Sequence, residues 1–201
     1  MSDHYYSHEQ QTPIEETTFS HVIAGKKLTI TTATGLFSKE HVDTGSQLLL
    51  EYALLKPNWR VLDLGCGYGI VSLGVLCREP TCKVVASDIT QRAVEYTQKN
   101  AQQNGLSLVV KKSDGLENVE QTFDTILLNP PQSAGKDVCE RLIRQGYEQL
   151  VVGGIIQVVI RTKKGGSSMQ TFLQSQFGNV RPIAKKGGFR ILVAKKEKSH
   201  T

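Results

Sequence analysis

The apolar run from Asp124 to Leu128 stops at Asn129-Pro130-Pro131, a combination that fixes the backbone and presents acceptors. Neither proline has a backbone donor, both have a fixed φ, and each restrains the residue before it, so Asn129 is held extended at a strand's carboxyl end. The Asn129 side-chain oxygen and the Pro130 carbonyl, kept apart by the stiff turn, can both accept from one planar NH2 group. Such acceptance draws the nitrogen lone pair out of conjugation and makes it nucleophilic. No strong base is required, because the proton becomes acidic only once the nitrogen carries positive charge. The plainer reading, that the prolines merely end a strand, leaves the rarity of an adjacent Asn-Pro-Pro unexplained.

Three more loops carry polar groups of the same kind. Asp63-Leu-Gly65-Cys-Gly67-Tyr-Gly69 places glycines at alternate positions, so the backbone can turn tightly and approach a ligand before a helix begins. It is not a dinucleotide fingerprint, since the third glycine of G-x-G-x-x-G falls on Ile70 or Ser72. Nucleotide binding survives and NAD is disfavoured. Asp88 ends the next strand, where a carboxylate can accept both hydroxyls of a ribose. It could instead be a solvated acid at the start of the helix after Thr90. Asp114, in Ser113-Asp114-Gly115, could accept from an adenine amino group or simply make a turn with Gly115.

The elements that must position these loops follow from periodicity. From Arg60 onward, strands at 61–64, 83–88, 108–112, 123–129 and 155–161 alternate with helices near 70–78, 91–104, 135–151 and 166–177. This is the rhythm of an α/β fold, an open parallel sheet with helices on both faces. Strands near 180–184 and 190–194, separated by Lys185-Lys-Gly-Gly188, suit a terminal antiparallel pair. Upstream, 19–24 and 27–33 read as a hairpin around Gly25, preceded by a polar arm over 1–18. A helix capped by Ser38 is expected to carry Val42, Leu48, Leu49, Ala53 and Leu54 toward the core. We therefore expect an arm and hairpin extension over 1–34 and one catalytic domain over 35–201.

The 201 residues carry a net charge of +5, unevenly placed. From Arg161 on there are ten Lys and Arg against Glu197 alone, leaving 14 basic and 18 acidic residues before it. Such a patch favours a polyanionic partner, although Lys195, Lys196 and Lys198 read equally well as a solvated tail. Four cysteines without a CxxC pair, no apolar leader and no apolar run near the roughly 20 residues of a membrane helix lead us to expect a soluble cytoplasmic protein with reduced thiols. Cys66 and Cys139 suit packing better than nucleophilic roles, and the five histidines show no metal-ligand spacing.

Taken together, Asp63-Leu-Gly-Cys-Gly-Tyr-Gly69, Asp88, Ser113-Asp114 and Asn129-Pro-Pro resemble motifs I to IV of a class I S-adenosylmethionine-dependent methyltransferase. More narrowly, Thr34-Gly-Leu-Phe-Ser38, Asp43-Thr-Gly-Ser-Gln-Leu-Leu and Asn129-Pro-Pro-x-x-Ala-Gly-Lys136 are similar to the "methyltransferase small" group. That group includes the catalytic domain of bacterial small-subunit ribosomal RNA guanine-N2 methyltransferases and short archaeal relatives. The length and His4-Tyr-Tyr-Ser7 look most like the archaeal form. The resemblance implies a Rossmann-like seven-stranded, mostly parallel sheet and S-adenosyl-L-methionine as cofactor. It implies that Asp63, Gly65, Gly67 and Gly69 hold the methionine portion, Asp88 the ribose and Asp114 the adenine, with Ile89 and Asn129 also binding the cofactor, and that Asn129 with Pro130 takes the target amine, Pro131 completing the catalytic turn. Phe37 would cover the cofactor or stack on the base, and it reads nearly as well as a buried hydrophobic residue after a hairpin. Many N-methyltransferases have an aromatic residue where this chain has Gln132, so stacking falls to Phe37, or Gln132 holds the target by hydrogen bonds.

The expected reaction is direct in-line methyl transfer to an exocyclic nitrogen, with guanine N2 of ribosomal RNA as the first target class. Lys163, Lys164, Lys185, Lys186 and Arg190 are candidates for phosphate contacts. The target base is expected in an unpaired or flipped nucleotide, because a duplex hides its edge. Two alternatives stand beside this one: a protein glutamine amide as the acceptor, or a domain that binds RNA or protein without turnover.

Overall fold

The computed structural model describes residues 14–36, 41–130, 135–162 and 166–198. A two-stranded hairpin, β1 (Glu16–Ile23) and β2 (Lys26–Ala33), is followed by α1 (Thr44–Tyr52). Then come β3 (Arg60–Leu64), α2 (Ile70–Arg78), β4 (Lys83–Asp88), α3 (Gln91–Gln103), β5 (Val109–Lys112), β6 (Phe123–Leu128), α4 (Lys136–Gln149), β7 (Leu150–Arg161), α5 (Gly166–Phe177), β8 (Arg181–Lys186) and β9 (Phe189–Lys195). The seven-stranded sheet has the order β5-β4-β3-β6-β7-β9-β8. Pairing is parallel from β5 through β7, and β9 runs antiparallel to both β7 and β8.

Successive residues on the central strands serve opposite faces, as a sheet covered on both sides requires. Val61, Leu127, Ile191 and Val193 join a core with the hairpin, α1, α2 and α3. Leu62, Ile126, Leu128 and Leu192 join a second core with α4 and α5. Strand order reverses between β3 and β6, which opens a crevice at their carboxyl ends where Asp63 and Asn129 stand. At the opposite ends of these strands the Arg60 backbone N and Nε donate to Asp124 Oδ2 at 2.8 and 3.0 Å. That guanidinium holds the Asp124 carboxyl below its ordinary range.

Three expectations are corrected. The helix expected to start at Ser38, which lies outside the described residues, starts at Thr44 and is capped by Asp43, whose Oδ1 accepts from Ser46 N at 3.0 Å. Residues 41–43 are not helical, so Val42 is buried ahead of the helix. Leu54 is 38% exposed rather than in the core, because α1 has ended and Gln157 takes hold of the chain there. The polar arm is also shorter than expected, since Glu16, Thr17 and Thr18 already pair with Ala33, Thr32 and Thr31.

Gln157 is fully buried in β7, accepts from Leu54 N at 2.8 Å, and donates to Leu54 O at 2.8 Å and Thr125 Oγ1 at 3.0 Å. It fixes where α1 leaves the sheet. Gln157→Leu strands these buried groups, and we expect a loss of about 3 kcal/mol, or about 10 °C in Tm by circular dichroism. No helix among the described residues is long and apolar enough to cross a membrane.

Candidate active site

The glycine loop is built by its neighbours as much as by its own residues. Gly65 N and Cys66 N donate to Ser87 O at 2.8 and 3.0 Å, and Gly67 N donates to Asp88 Oδ2 at 3.0 Å. From α3, Thr97 Oγ1 donates to Gly67 O at 3.1 Å and Asn100 Nδ2 to Tyr68 O at 2.8 Å. Gly69 caps α2 at φ 86°, and a Cβ there would lie 2.8 Å from Thr97. Asn100 also binds Thr31 N and Thr31 O at 2.8 Å each, so the hairpin and the loop share one buried amide. Sequence reasoning missed Thr97 and Asn100. Their signal was polar side chains on the stripe of α3 that Ala93 and Tyr96 mark as core-facing.

Asp63 is buried, and its Oδ2 accepts from Ser72 N at 2.9 Å and Ser72 Oγ at 2.6 Å. It caps the first turn of α2, which Gly69 cannot do with a side chain. Burial pushes its carboxyl up to about 6 against those bonds. The native state therefore keeps this proton more tightly than the unfolded chain, and the contribution to stability is present below about pH 4 and lost by about pH 6. Asp63→Asn, which can still accept from Ser72, is expected to raise stability above pH 6 by about 3 kcal/mol and to leave it unchanged below pH 4. Urea titration at pH 3.5 and 7.5 checks this. Because Asp63 faces the crevice, the same variant should bind ligand more weakly.

Asp88 is 3% exposed; its Oδ1 accepts from Thr90 N and Oγ1 at 3.0 and 3.1 Å, while Thr90 caps α3. The carboxylate thus ties the glycine loop to α3 as well as lining a cavity. Asp114 Oδ1 accepts from Arg141 Nη2 of α4 at 2.6 Å, a partner the sequence did not suggest. Asp88, Ile89, Asp114 and Arg141 border a cavity of about 410 Å3, open mouth included, whose other walls include Leu128, Val138 and Leu142. A second cavity, about 450 Å3, lies on the other side of Gly65 and is bordered by Asp43, Ser46, Asp63, Gly67, Tyr68 and Asn129.

Asn129 stands at the end of β6 with its amide held from α1. Its Nδ2 donates to Asp43 Oδ1 and to Ser46 Oγ, both at 3.1 Å. Gly45 lies against the same amide, where a Cβ would be 2.8 Å from Oδ1. With both Nδ2 hydrogens engaged, Oδ1 is the amide's remaining functional atom. The motif Asp43-Thr-Gly-Ser does not by itself assign Asp43 and Ser46 this role. Pro130 follows at intermediate burial; Pro131, Gln132 and Phe37 lie outside the described residues. Cys66 is unsuited to attack, since burial, with Asp88 and Asp63 adding, raises its thiol well above the ordinary range. All four cysteines are unpaired and buried.

Of the candidate phosphate contacts, Lys163 and Lys164 lie outside the described residues. Lys185 is exposed, Lys186 pairs with Glu51 of α1 at 2.9 Å, and Arg190 Nη1 donates to Gln170 Oε1 at 3.2 Å. The β8–β9 turn reaches the start of α1, where a Cβ on Gly187 would lie 3.2 Å from Thr44. The turn between Lys186 and Phe189 thus lies against the start of α1, the helix whose Ser46 holds the Asn129 amide.

The two cavities meet at Gly65, one with apolar walls and two carboxylates, the other with Asp43, Asp63 and Tyr68. That arrangement fits a ligand with a flat nucleoside end and a charged amino-acid end. The family model for the methyltransferase small domain matches residues 27–193. An uncharacterised Bacillus subtilis protein, YbxB, is 37% identical over 200 residues, covering 98% of this chain and 100% of that one. Ribosomal RNA small subunit methyltransferase C of Haemophilus influenzae is 32% identical over 174 residues, 85% of this chain and 52% of that one. The chain spans about half the length of the curated ribosomal RNA methyltransferases it matches. Among solved structures, a Thermus thermophilus 16S ribosomal RNA guanine-N2 methyltransferase in complex with S-adenosylmethionine and guanosine superposes with a TM-score of 0.81 at 27% identity, over 94% of this chain and 52% of that one. A Pyrococcus furiosus methyltransferase, at TM-score 0.68 and 24% identity over 82% of this chain and 90% of that one, shares the fold. The chain belongs to the methyltransferase small family and is a methyltransferase dependent on S-adenosylmethionine.

Proposed function

We propose that this enzyme methylates the exocyclic N2 amine of a guanine in small-subunit ribosomal RNA, in the cytoplasm. The observation that carries the reading is the orientation of Asn129: Asp43 and Ser46 take both hydrogens of its amide nitrogen, which leaves Oδ1 to accept from a target NH2. Asn129 Oδ1 and the Pro130 carbonyl accept hydrogen bonds from the amine and turn its lone pair toward the cofactor side of the crevice; the proton that becomes acidic on transfer is then lost from the methylated nitrogen to solvent. When bound, S-adenosylmethionine supplies the electrophilic methyl group. Asp63, Gly65, Gly67 and Gly69 would hold its methionine end, Asp88 and Ile89 its ribose, and Asp114 with Arg141 the edge of its adenine. Residues 35–201 would form the catalytic domain. The hairpin within 1–34 braces the glycine loop through Asn100.

Ribosomal RNA is favoured over a protein amide by the excess of cations from Arg161 onward and by the guanosine in the Thermus thermophilus structure. The test is transfer of labelled methyl to small ribosomal subunits and naked ribosomal RNA, followed by digestion to nucleosides. N2-methylguanosine is the expected product, and label confined to protein would overturn the target. Lys185→Glu with Lys186→Glu should raise KM for RNA about tenfold at low salt. The double change should flatten the salt dependence by about one unit of slope per lost phosphate contact, without altering cofactor affinity.

A further inference from the structure

Asn129 stands on the face of the sheet that α1 covers, and the two strands beyond β6 carry a stacked cation and aromatic ring on that same face. Leu127 of β6, Val159 of β7 and Ile191 of β9 belong to the core beneath α1 and the hairpin, and Phe189 packs at its margin. Side chains alternate along a strand, so Asn129, Arg161 and Phe189 project to that face as well. Leu128 is in register with Val158, and Arg161 with Phe189. Arg161 therefore lies two residues past the level of Asn129 on the adjacent strand, about 7 Å further out. The turn just before Phe189 meets the start of α1, where a Cβ on Gly187 would be 3.2 Å from Thr44, the neighbour of the Asp43 that holds the Asn129 amide.

The Arg161 guanidinium lies over the Phe189 ring, 5.0 Å from its centroid. Arg60, Arg141 and Arg144 each pair with a carboxylate, whereas Arg161 is exposed and has no ion pair among the described residues. Its backbone is fixed from both sides. Thr162 N donates to Gly188 O at 2.8 Å, so β7 and β9 stay joined past Arg161, and Gly166 of α5 packs so closely on the Arg161 carbonyl that a Cβ would collide with it. A flat cation settled on an aromatic ring leaves its opposite face for a second flat group, and nucleobases stack on guanidinium planes as they do on aromatic rings. We propose that Arg161, laid on Phe189, is the platform on which the target base stacks while Asn129 takes its amine. The inference rests on the proposed RNA target and supplies the planar group that this chain lacks at Gln132. Stacking is tolerant of sequence, so the platform holds the base and leaves its identity to groups at its edge.

The test is methyl transfer to small ribosomal subunits and to naked ribosomal RNA, followed as a function of RNA concentration in whichever form wild type methylates. The variants are Arg161→Lys, Arg161→Ala, Phe189→Leu and the Arg161→Lys/Phe189→Leu pair, with Tm and S-adenosylhomocysteine affinity as controls. Lysine keeps the charge and loses the plane. Arg161→Lys and Arg161→Ala should therefore both lower kcat/KM about ten- to hundredfold, within about threefold of each other, at unchanged cofactor affinity. Phe189→Leu should lower it about three- to tenfold. The double variant should be within about twofold of Arg161→Lys, because the ring acts through the guanidinium. Rescue by lysine to near wild-type kcat/KM would make Arg161 a phosphate contact and overturn the inference, as would an unchanged kcat/KM in Arg161→Ala. Label confined to protein in the wild type would instead overturn the RNA target, and the platform with it.

Discussion

Asn129→Ala lowers kcat by about two to three orders of magnitude while S-adenosylhomocysteine affinity changes by less than about threefold. The expectation follows from where the side chain acts. Asn129 Nδ2 is anchored by Asp43 and Ser46, so truncation removes the acceptor and leaves those anchors facing the cavity, where water can reach them. The fold loses little, because neither anchor depends on Asn129 alone: Asp43 still accepts from Ser46 N at 3.0 Å. The loss should therefore lie in kcat and not in cofactor binding, the signature of an interaction made only as the amine reacts. Asn129→Asp separates orientation from mere polarity. It keeps an oxygen but sets a second carboxylate against Asp43 where a donor now lies 3.1 Å away, and like charges at that distance cannot both stay ionised. Its activity should be as low as that of the alanine variant at pH 8 and should recover partly as pH falls. Single-turnover rates with saturating cofactor measure both. An alanine variant with near wild-type kcat would remove Asn129 from the chemistry.

The central strands of the parallel sheet are legible because they are buried on both faces, and a short apolar run bounded by glycine or proline has few other readings; the terminal antiparallel pair, whose β8 has no buried residue, is legible from the short separation at Lys185 to Gly188. The glycine loop, Asp88 and Asn129 were legible for a related reason: each sits at a strand's carboxyl end, where the fold class itself puts ligands. What escaped notice came from contacts distant in sequence. Asp43 and Asn129 are 86 residues apart, and Asn100 reaches Thr31 across 69. No local pattern reports such pairs. By residue type Ser38 is as good a cap as Asp43; the choice is made by Gly45 and Ser46, which must meet Asn129. Asp114 was read against a ligand or a turn, and its partner Arg141 lay on α4, whose exposed face looked like any solvated helix.

Gly45→Ala tests the same amide from the other side, and here activity should fall while stability barely changes. Gly45 is the second residue of α1, and alanine is intrinsically better than glycine within a helix by up to about 1 kcal/mol. Yet its Cβ would lie 2.8 Å from Asn129 Oδ1, 3.0 Å from Nδ2 and 3.1 Å from Asp43 Oδ1. Carbon cannot remain that close to all three. The Asn129 amide is tethered at Nδ2 and cannot swing aside without breaking the bonds to Asp43 and Ser46, so relief comes by displacing the acceptor itself. A shift of several tenths of an ångström at a group that must meet the target amine is expected to reduce kcat about 10- to 100-fold. Tm should stay within about 3 °C of wild type, since the helix gain offsets the local crowding. Ser46→Ala removes one tether and leaves Asp43 in place, so it should cost less than tenfold. Gly45→Ala with unchanged kcat and unchanged Tm would mean that α1 can slide away from β6, and that the amide is oriented by something other than the helix cap.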